Sequence, residues 1–477
     1  MSFFREGFRR FAAACLLLVV AGAGCTGAPD AAATQAAKKT TLVVWGVVDD
    51  QDAYQAIFND FRQLYPFVQI EYRRFRLEEY EAEMLNALAE DRGPDVFLIH
   101  NTWVGKYQPK LLPQPPTVKV AAQKVVGTLK KEVTYELQNQ RTATPFQFRE
   151  DYPDAVGQDL VRSIDVSTVS GKRDIQPRVF GVPMSVDTLA MYVNKDLLNT
   201  AGVSTVPQDW LSFQNAVKRL TRQTPQGEIQ QAGAAIGTGL NVERSPDILA
   251  LLMMQNGADM AAEDGTPTFN VLPARLDGIL EEPPAYQAVR FYTDFGNPGK
   301  EVYTWNNQQP NSLDAFVQGK AAFFFGYAYH MPIIKARGPK INLGISKIPQ
   351  IEGNPVVNFA NYWAWGVSKK TKNPDLSWAL LNFMRRPEEN AKFLAVAKRP
   401  AALKSQIDAQ LEDPDVNVFA AQVLTAKSWY RGNNARTADD ALVSLIEAAL
   451  VTDQEQLPQL VNLAVQKVAQ TIGYNGF

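Results

Sequence analysis

The residues with the most chemistry to offer in this 477-residue chain are its eight tryptophans and the amides and carboxylates beside them. Trp45 precedes Asp49 and Asp50 in "VVWGVVDD", and Trp103 closes "HNTW" behind His100 and Asn101. Trp305 opens "WNNQQ", Trp363 and Trp365 follow Tyr362 in "NYWAW", and Trp429 lies two residues before Arg431 in "SWYRGN". Gln255 and Asn256 end an apolar run, while Tyr327 and Tyr329 follow a turn at Gly326. A flat ring beside amides, carboxylates or a guanidinium can stack on a weakly apolar face and hydrogen-bond its polar edge. A ligand cleft uses the same mixture, a largely apolar wall with a few polar groups. These residues therefore suit non-covalent capture.

Bond-making chemistry has little to work with. His100 and His330 are the only histidines and Cys15 and Cys25 the only cysteines, so no Cys/His cluster can build a zinc site. No HExxH, GxSxG, P-loop or GxGxxG pattern occurs, and neither a cofactor nor a metal is expected. The run Glu78, Glu79, Glu81 and Glu83 reads as the solvated face of a helix, not as paired catalytic carboxylates. Trp210 and Trp378 sit on apolar helix faces and are expected in the core. The formal net charge is −2, with no basic block, which argues against a nucleic-acid partner.

The elements that must position these residues begin after an N-terminal leader. Arg5, Arg9 and Arg10 precede the apolar run of residues 11–24, too short to span a bilayer and flanked like a secretory signal. Cys25 follows small residues as in a bacterial lipobox, although Gly22 stands where a leucine-like residue is usual. Lipidation at Cys25 is expected, with residues 25–40 as a flexible tether and the lipid as the only membrane contact. Residues 41–100 read β-α-β-α-β, from "TLVVW" through "FVQIEYRRF" to "DVFLIH", a parallel α/β unit whose ligands sit beyond the strand C-termini. Those ends hold Trp45 to Asp50 and His100 to Trp103. In the poorly patterned 106–178 segment, Val118, Ala121, Val125, Leu129 and Val133 fall near helical spacing.

Several stretches in this order resemble the family-1 extracellular solute-binding proteins of ABC transporters, the maltose-binding-protein-like group. They are "LVVWGVVDD", "GPDVFLIHNTWVGKY", "VFGVPMSVDTLAMYVNKDLLNTAGV", "MMQNGA", "AFVQGKAAFFFGYAYH" and "WAWGVSKKTKNPDLSWALLNFM". The resemblance implies a periplasmic-binding-protein-like (type II) α/β fold of two lobes joined by hinge strands around a ligand cleft. It assigns residues 41–186 and 293–358 to lobe 1 and residues 187–292 and 359–425 to lobe 2, with C-terminal helices over residues 426–477 packing on the lobes and closing over their back. It places Asp187 where the chain crosses between lobes. It implies a monomer that captures a carbohydrate of oligosaccharide size and hands it to membrane permease subunits, with no catalysis. The rival readings are a binding protein for a glycerophosphodiester or peptide, and a surface glycoside hydrolase.

Overall fold

A computed structural model describes residues 31–127, 131–167 and 171–473. The signal, Cys25 and the first part of the tether lie outside the described residues. The β-branched run "TLVVW" becomes the strand Thr40–Gly46, which pairs in parallel with Val68–Arg74 and Val96–His100. Trp363–Val367 joins antiparallel to Val96–His100, and Val182–Pro183 forms the edge. Helix Asp52–Leu64 covers this sheet with Tyr54, Ile57, Phe58 and Phe61, buried at the i, i+3/i+4 spacing of one helix face.

A second sheet runs Arg222–Gln223, Ile229–Ala234, Ala321–Gly326, Ala190–Asn194, Leu343–Ser346. Each sheet has its own core. One core holds buried residues from Leu42 to Val186 and from Ala360 to Ala426. The other holds residues from Leu189 to Phe359 and from Trp429 to Val468. The chain therefore passes between lobes at three places, and the crossing strands Asp187–Thr188, Asn358–Asn361 and Ala426–Lys427 form a small sheet of their own.

Four expectations need correction. Residues 293–358 belong to the second lobe and most of 359–425 to the first, because Ala321–Gly326 pairs with Ala190–Asn194 while Trp363–Val367 pairs with Val96–His100. The C-terminal helices Ala435–Val451 and Leu457–Ala469 are part of the second lobe's core and do not form a separate cover. The helical spacing after Thr117 is instead a hairpin, Thr117–Val126 with Glu132–Arg141. Its first four residues alternate exposed and buried, the period of a strand, and β-branched Val and Thr favour that state. Part of the tether is helical: the alanine-rich stretch Ala31–Ala36 is a helix that packs on this hairpin, with Ala33 buried.

Candidate functional site

The end of the first lobe's strand Val96–His100 meets helix starts of the second lobe beside the crossing strands. From the first lobe come His100, Asn101 and Thr102; from the second come Arg244, Asp247 and Asp439; Phe359 to Asn361 and Ser428 to Tyr430 complete the wall. The space they enclose is about 20 Å³, room for one water. A larger pocket of about 330 Å³ adjoins it, sharing Ser428 and Trp429. Helix Asp154–Leu160 of the first lobe lines this pocket with Asp154 and Gln158, and the second lobe contributes Met254, Asp259 and Met260. Arg431 also lines it.

On the first-lobe wall, His100 Nε2 lies 2.6 Å from Asn361 Oδ1 and Nδ1 lies 2.8 Å from Thr102 Oγ1. Burial lowers the His100 pKa to about 4, so the ring is neutral at physiological pH. Asn101 is buried, and its Oδ1 has no hydrogen-bond partner. A buried acceptor left bare costs free energy that a donor from a ligand or a water would recover.

On the opposite wall, Arg244 holds two carboxylates. It donates to Asp247 through Nε (2.8 Å) and Nη2 (2.6 Å), and to Asp439 through Nη1 (3.2 Å). Arg244 is one of three non-glycine residues with positive φ among the described residues, +53°, just before the helix Ser245–Gln255. Tyr327 Oη donates to Asp247 Oδ2 at 2.5 Å. Burial raises the Asp439 carboxyl to about 6, against the opposing pull of Arg244.

A third cluster ties the lobes together. The carboxylate of Asp159, wholly buried in the first lobe, accepts from Tyr362 Oη (2.8 Å), Ser428 Oγ (2.7 Å) and Arg431 Nε (3.1 Å). Gly105 of the first lobe packs so closely here that a Cβ would collide with the carbonyl oxygens of Arg431 and Gly432.

The structure gathers His100, Asn101, Trp429 and Arg431 around the two spaces. Trp103 and Trp363 stack edge-to-face 5.2 Å apart beside His100. The other expected residues are engaged elsewhere. Trp45 is buried against Phe75. Trp305 is fully buried, with Nε1 donating to Asn241 Oδ1 at 3.0 Å. Gln255 accepts from Trp210 Nε1 (2.6 Å) and donates to the carbonyls of Pro349 and Val357. Asn256 holds the Pro284 carbonyl. Asp49 pairs with Arg399 at 3.2 Å, and Asp50 with Arg74 in the open. Tyr327 and Tyr362 are buried and spend their hydroxyls on Asp247 and Asp159; Tyr329 stacks on Tyr327. Asp187 accepts from the N–H groups of Thr188 (2.9 Å) and Ala328 (3.0 Å), pinning the first crossing to the second lobe.

Arg244, Asp247, Asp439 and Asp159 escaped the reading of the sequence. "ERSPD" carried the one available signal, an arginine three residues ahead of an aspartate at a helix start. Among the described residues, no group of three or more His, Cys, Asp or Glu is placed to hold a metal ion.

Two α/β lobes, three crossing strands and a polar, aromatic-lined space between the lobes define a type II solute-binding fold. The chain belongs to the bacterial extracellular solute-binding protein family, whose model matches residues 45–391. Among curated proteins, a putative binding protein of Brucella abortus is 24% identical over 266 residues, 52% of this chain and 57% of that protein. The multiple sugar-binding protein of Streptococcus mutans is 25% identical over 234 residues, 48% of this chain and 53% of that protein. The maltodextrin-binding protein MdxE of Bacillus subtilis is 27% identical over 224 residues, 45% and 46% respectively. The alignments thus span about half the length of these relatives. The fold is similar to a cyclo/maltodextrin-binding protein solved with maltotetraose (TM-score 0.66, 18% identity, 91% of this chain and 98% of that one). It is also similar to the maltose-binding MalE of Listeria monocytogenes (0.66, 17%, 91% and 99%).

Proposed function

We propose that this chain is the extracytoplasmic, lipid-anchored substrate-binding protein of an ABC importer. It captures a carbohydrate of oligosaccharide size between its lobes as a monomer and delivers it to a membrane permease. The observation that carries the reading is the interlobe space itself, with Trp429 lining both compartments and Asn101, whose buried Oδ1 has no hydrogen-bond partner, lining the smaller one. An indole offers a stacking platform for the C–H face of a sugar ring, and amides and carboxylates suit its hydroxyls. A water-sized inner cavity admits a sugar only when the lobes part, so capture is a hinge opening followed by closure. The family and the sugar-binding names of its relatives point the same way.

The rival readings fit less well. Arg244 and Arg431 are each held by carboxylates, Asp247 with Asp439 and Asp159, so neither is a bare cation for a phosphodiester. Asp247 and Asp439 stand on one wall around one guanidinium, whereas a glycoside hydrolase needs two carboxyl groups flanking the scissile bond.

A thermal-shift screen of the mature chain tests the proposal, with mono- and oligosaccharides, polyols, glycerophosphodiesters and peptides as ligands. A sugar binding at about 1 μM, supplied a hundredfold above its Kd, stabilises by about 2.7 kcal/mol. A shift with phosphodiesters or peptides and none with sugars overturns the carbohydrate assignment. Release of reducing ends from a glycan mixture overturns the non-enzymatic one.

A further inference from the structure

The hairpin Thr117–Val126/Glu132–Arg141 has a well-held base and a bare end. At the base, Val118, Val120 and Ala121 are buried, the Lys119 N–H donates to Asp375 Oδ1 (3.1 Å), and Gln140 Nε2 donates to Tyr65 Oη (2.9 Å). The Tyr135 ring lies 5.7 Å from Phe67. Beyond Tyr135 the ribbon leaves the lobe. Val125 and Val133, directly opposite each other in register, are 57% and 54% exposed, and Val126 is exposed beside them. A two-stranded ribbon alone is marginal in water, and a cluster of exposed valines on it asks for cover.

The neighbouring chain indicates what supplies the cover. Helix Ala31–Ala36 packs on both strands of this hairpin. Only six peptide steps separate Ala31 from Cys25, at most about 20 Å of extended chain. A lipid at Cys25 therefore brings a bilayer surface to within that distance of the helix. Over its described residues the hairpin carries Lys119, Lys124, Lys131 and Arg141 against Glu132 and Glu136, a net +2 in a chain of net −2, with Lys119 and Arg141 at the base and Lys124 in an exposed ion pair with Glu136 at 2.9 Å.

We propose that the end of this hairpin, formed by Val125, Val126 and Val133 with Lys124 and Lys131, is a membrane-contact surface that rests on anionic phospholipid. The proposal depends on the lipid-anchor reading of Cys25. The valines leave water at the headgroup boundary and the lysines are drawn to anionic lipid. The first lobe is then held at two points, the acyl chains and the hairpin, which fixes how the cleft faces the membrane.

The full chain, processed in a lipoprotein-producing bacterium and reconstituted on phosphatidylglycerol/phosphatidylcholine vesicles, provides the test. A polarity-sensitive dye is attached at Val125→Cys or, for comparison, at Leu240→Cys, exposed on the second lobe. Flotation of the vesicles is measured on the same samples. The expected result is flotation, a blue shift at position 125 that weakens on pure phosphatidylcholine, and no shift at position 240. The double variant Val133→Asp/Val126→Asp is expected to float and to lose the shift at 125. Flotation with no shift at 125 overturns the contact surface and leaves the anchor standing. Failure to float overturns the anchor and this proposal with it. A blue shift without vesicles that grows with protein concentration shows the ribbon pairing with a second copy, and also overturns it.

Discussion

Asp187 carries its functional weight through burial. Desolvation raises its carboxyl pKa to about 6, opposed by Arg399 and by N–H donors, against roughly 3.9 for an unfolded aspartate. The folded chain thus holds this proton more tightly than the unfolded one. The stability it contributes is complete below about pH 4 and is lost as pH rises through 6. Asp187→Asn keeps an Oδ1 acceptor and never ionises. Its melting temperature relative to wild type is expected to rise between pH 4.5 and 7.5, worth on the order of 2 kcal/mol; an unchanged difference contradicts the assignment. Asp159 is a buried carboxylate that takes its hydrogen bonds from Tyr362, Ser428 and Arg431. Arg431→Met leaves it with two hydroxyl donors and is expected to cost about 3 kcal/mol in denaturant unfolding, part of it restored by adding Asp159→Asn. A loss below about 1 kcal/mol would mean the pair contributes little. Neither role was visible in the sequence beyond Asp187's place at a crossing, because an aspartate's partners lie far along the chain. The same blindness misplaced Trp305, whose polar surroundings in "TWNNQQ" suggested a cleft while its indole is buried on Asn241, sixty-four residues upstream.

At the scale of elements, the parts legible in the sequence were those with local causes. The helix Lys195–Thr200 follows from Asn194, whose side chain accepts from the N–H groups of Asp196 and Leu197. The first three strands follow from their apolar runs. The assignment of residues 293–358 and 359–425 to lobes did not follow, since it depends on which distant strand each segment pairs with. The hairpin at Thr117 was obscured because Val118, Ala121, Val125 and Val133 fall near helical spacing, which hid the exposed–buried alternation of residues 117–120. The close approach of Gly105 to Arg431 and Gly432 gives an element-level prediction. Gly105→Ala should wedge the helix Val104–Tyr107 away from the third crossing and weaken sugar affinity tenfold or more, about 1.4 kcal/mol, while both lobes stay folded. Titration of the variant with the sugar that stabilises wild type checks this; equal affinity removes the close approach from the closing mechanism.

For the whole molecule, two cores joined by three short crossings are the arrangement in which the proposed capture moves one lobe relative to the other. Ligand shifts this equilibrium only through contacts it makes better in the closed form, which is why the site must draw on both lobes. The most direct measurement is the distance between spin labels at Phe146→Cys on the first lobe and Leu240→Cys on the second, both 72% exposed. It is made without ligand and with the sugar that raises the melting temperature. Capture by lobe closure predicts a broad or longer distance without sugar that collapses to one shorter distance when sugar is bound. A sugar that stabilises the chain while leaving the distance distribution unchanged would contradict capture by lobe closure.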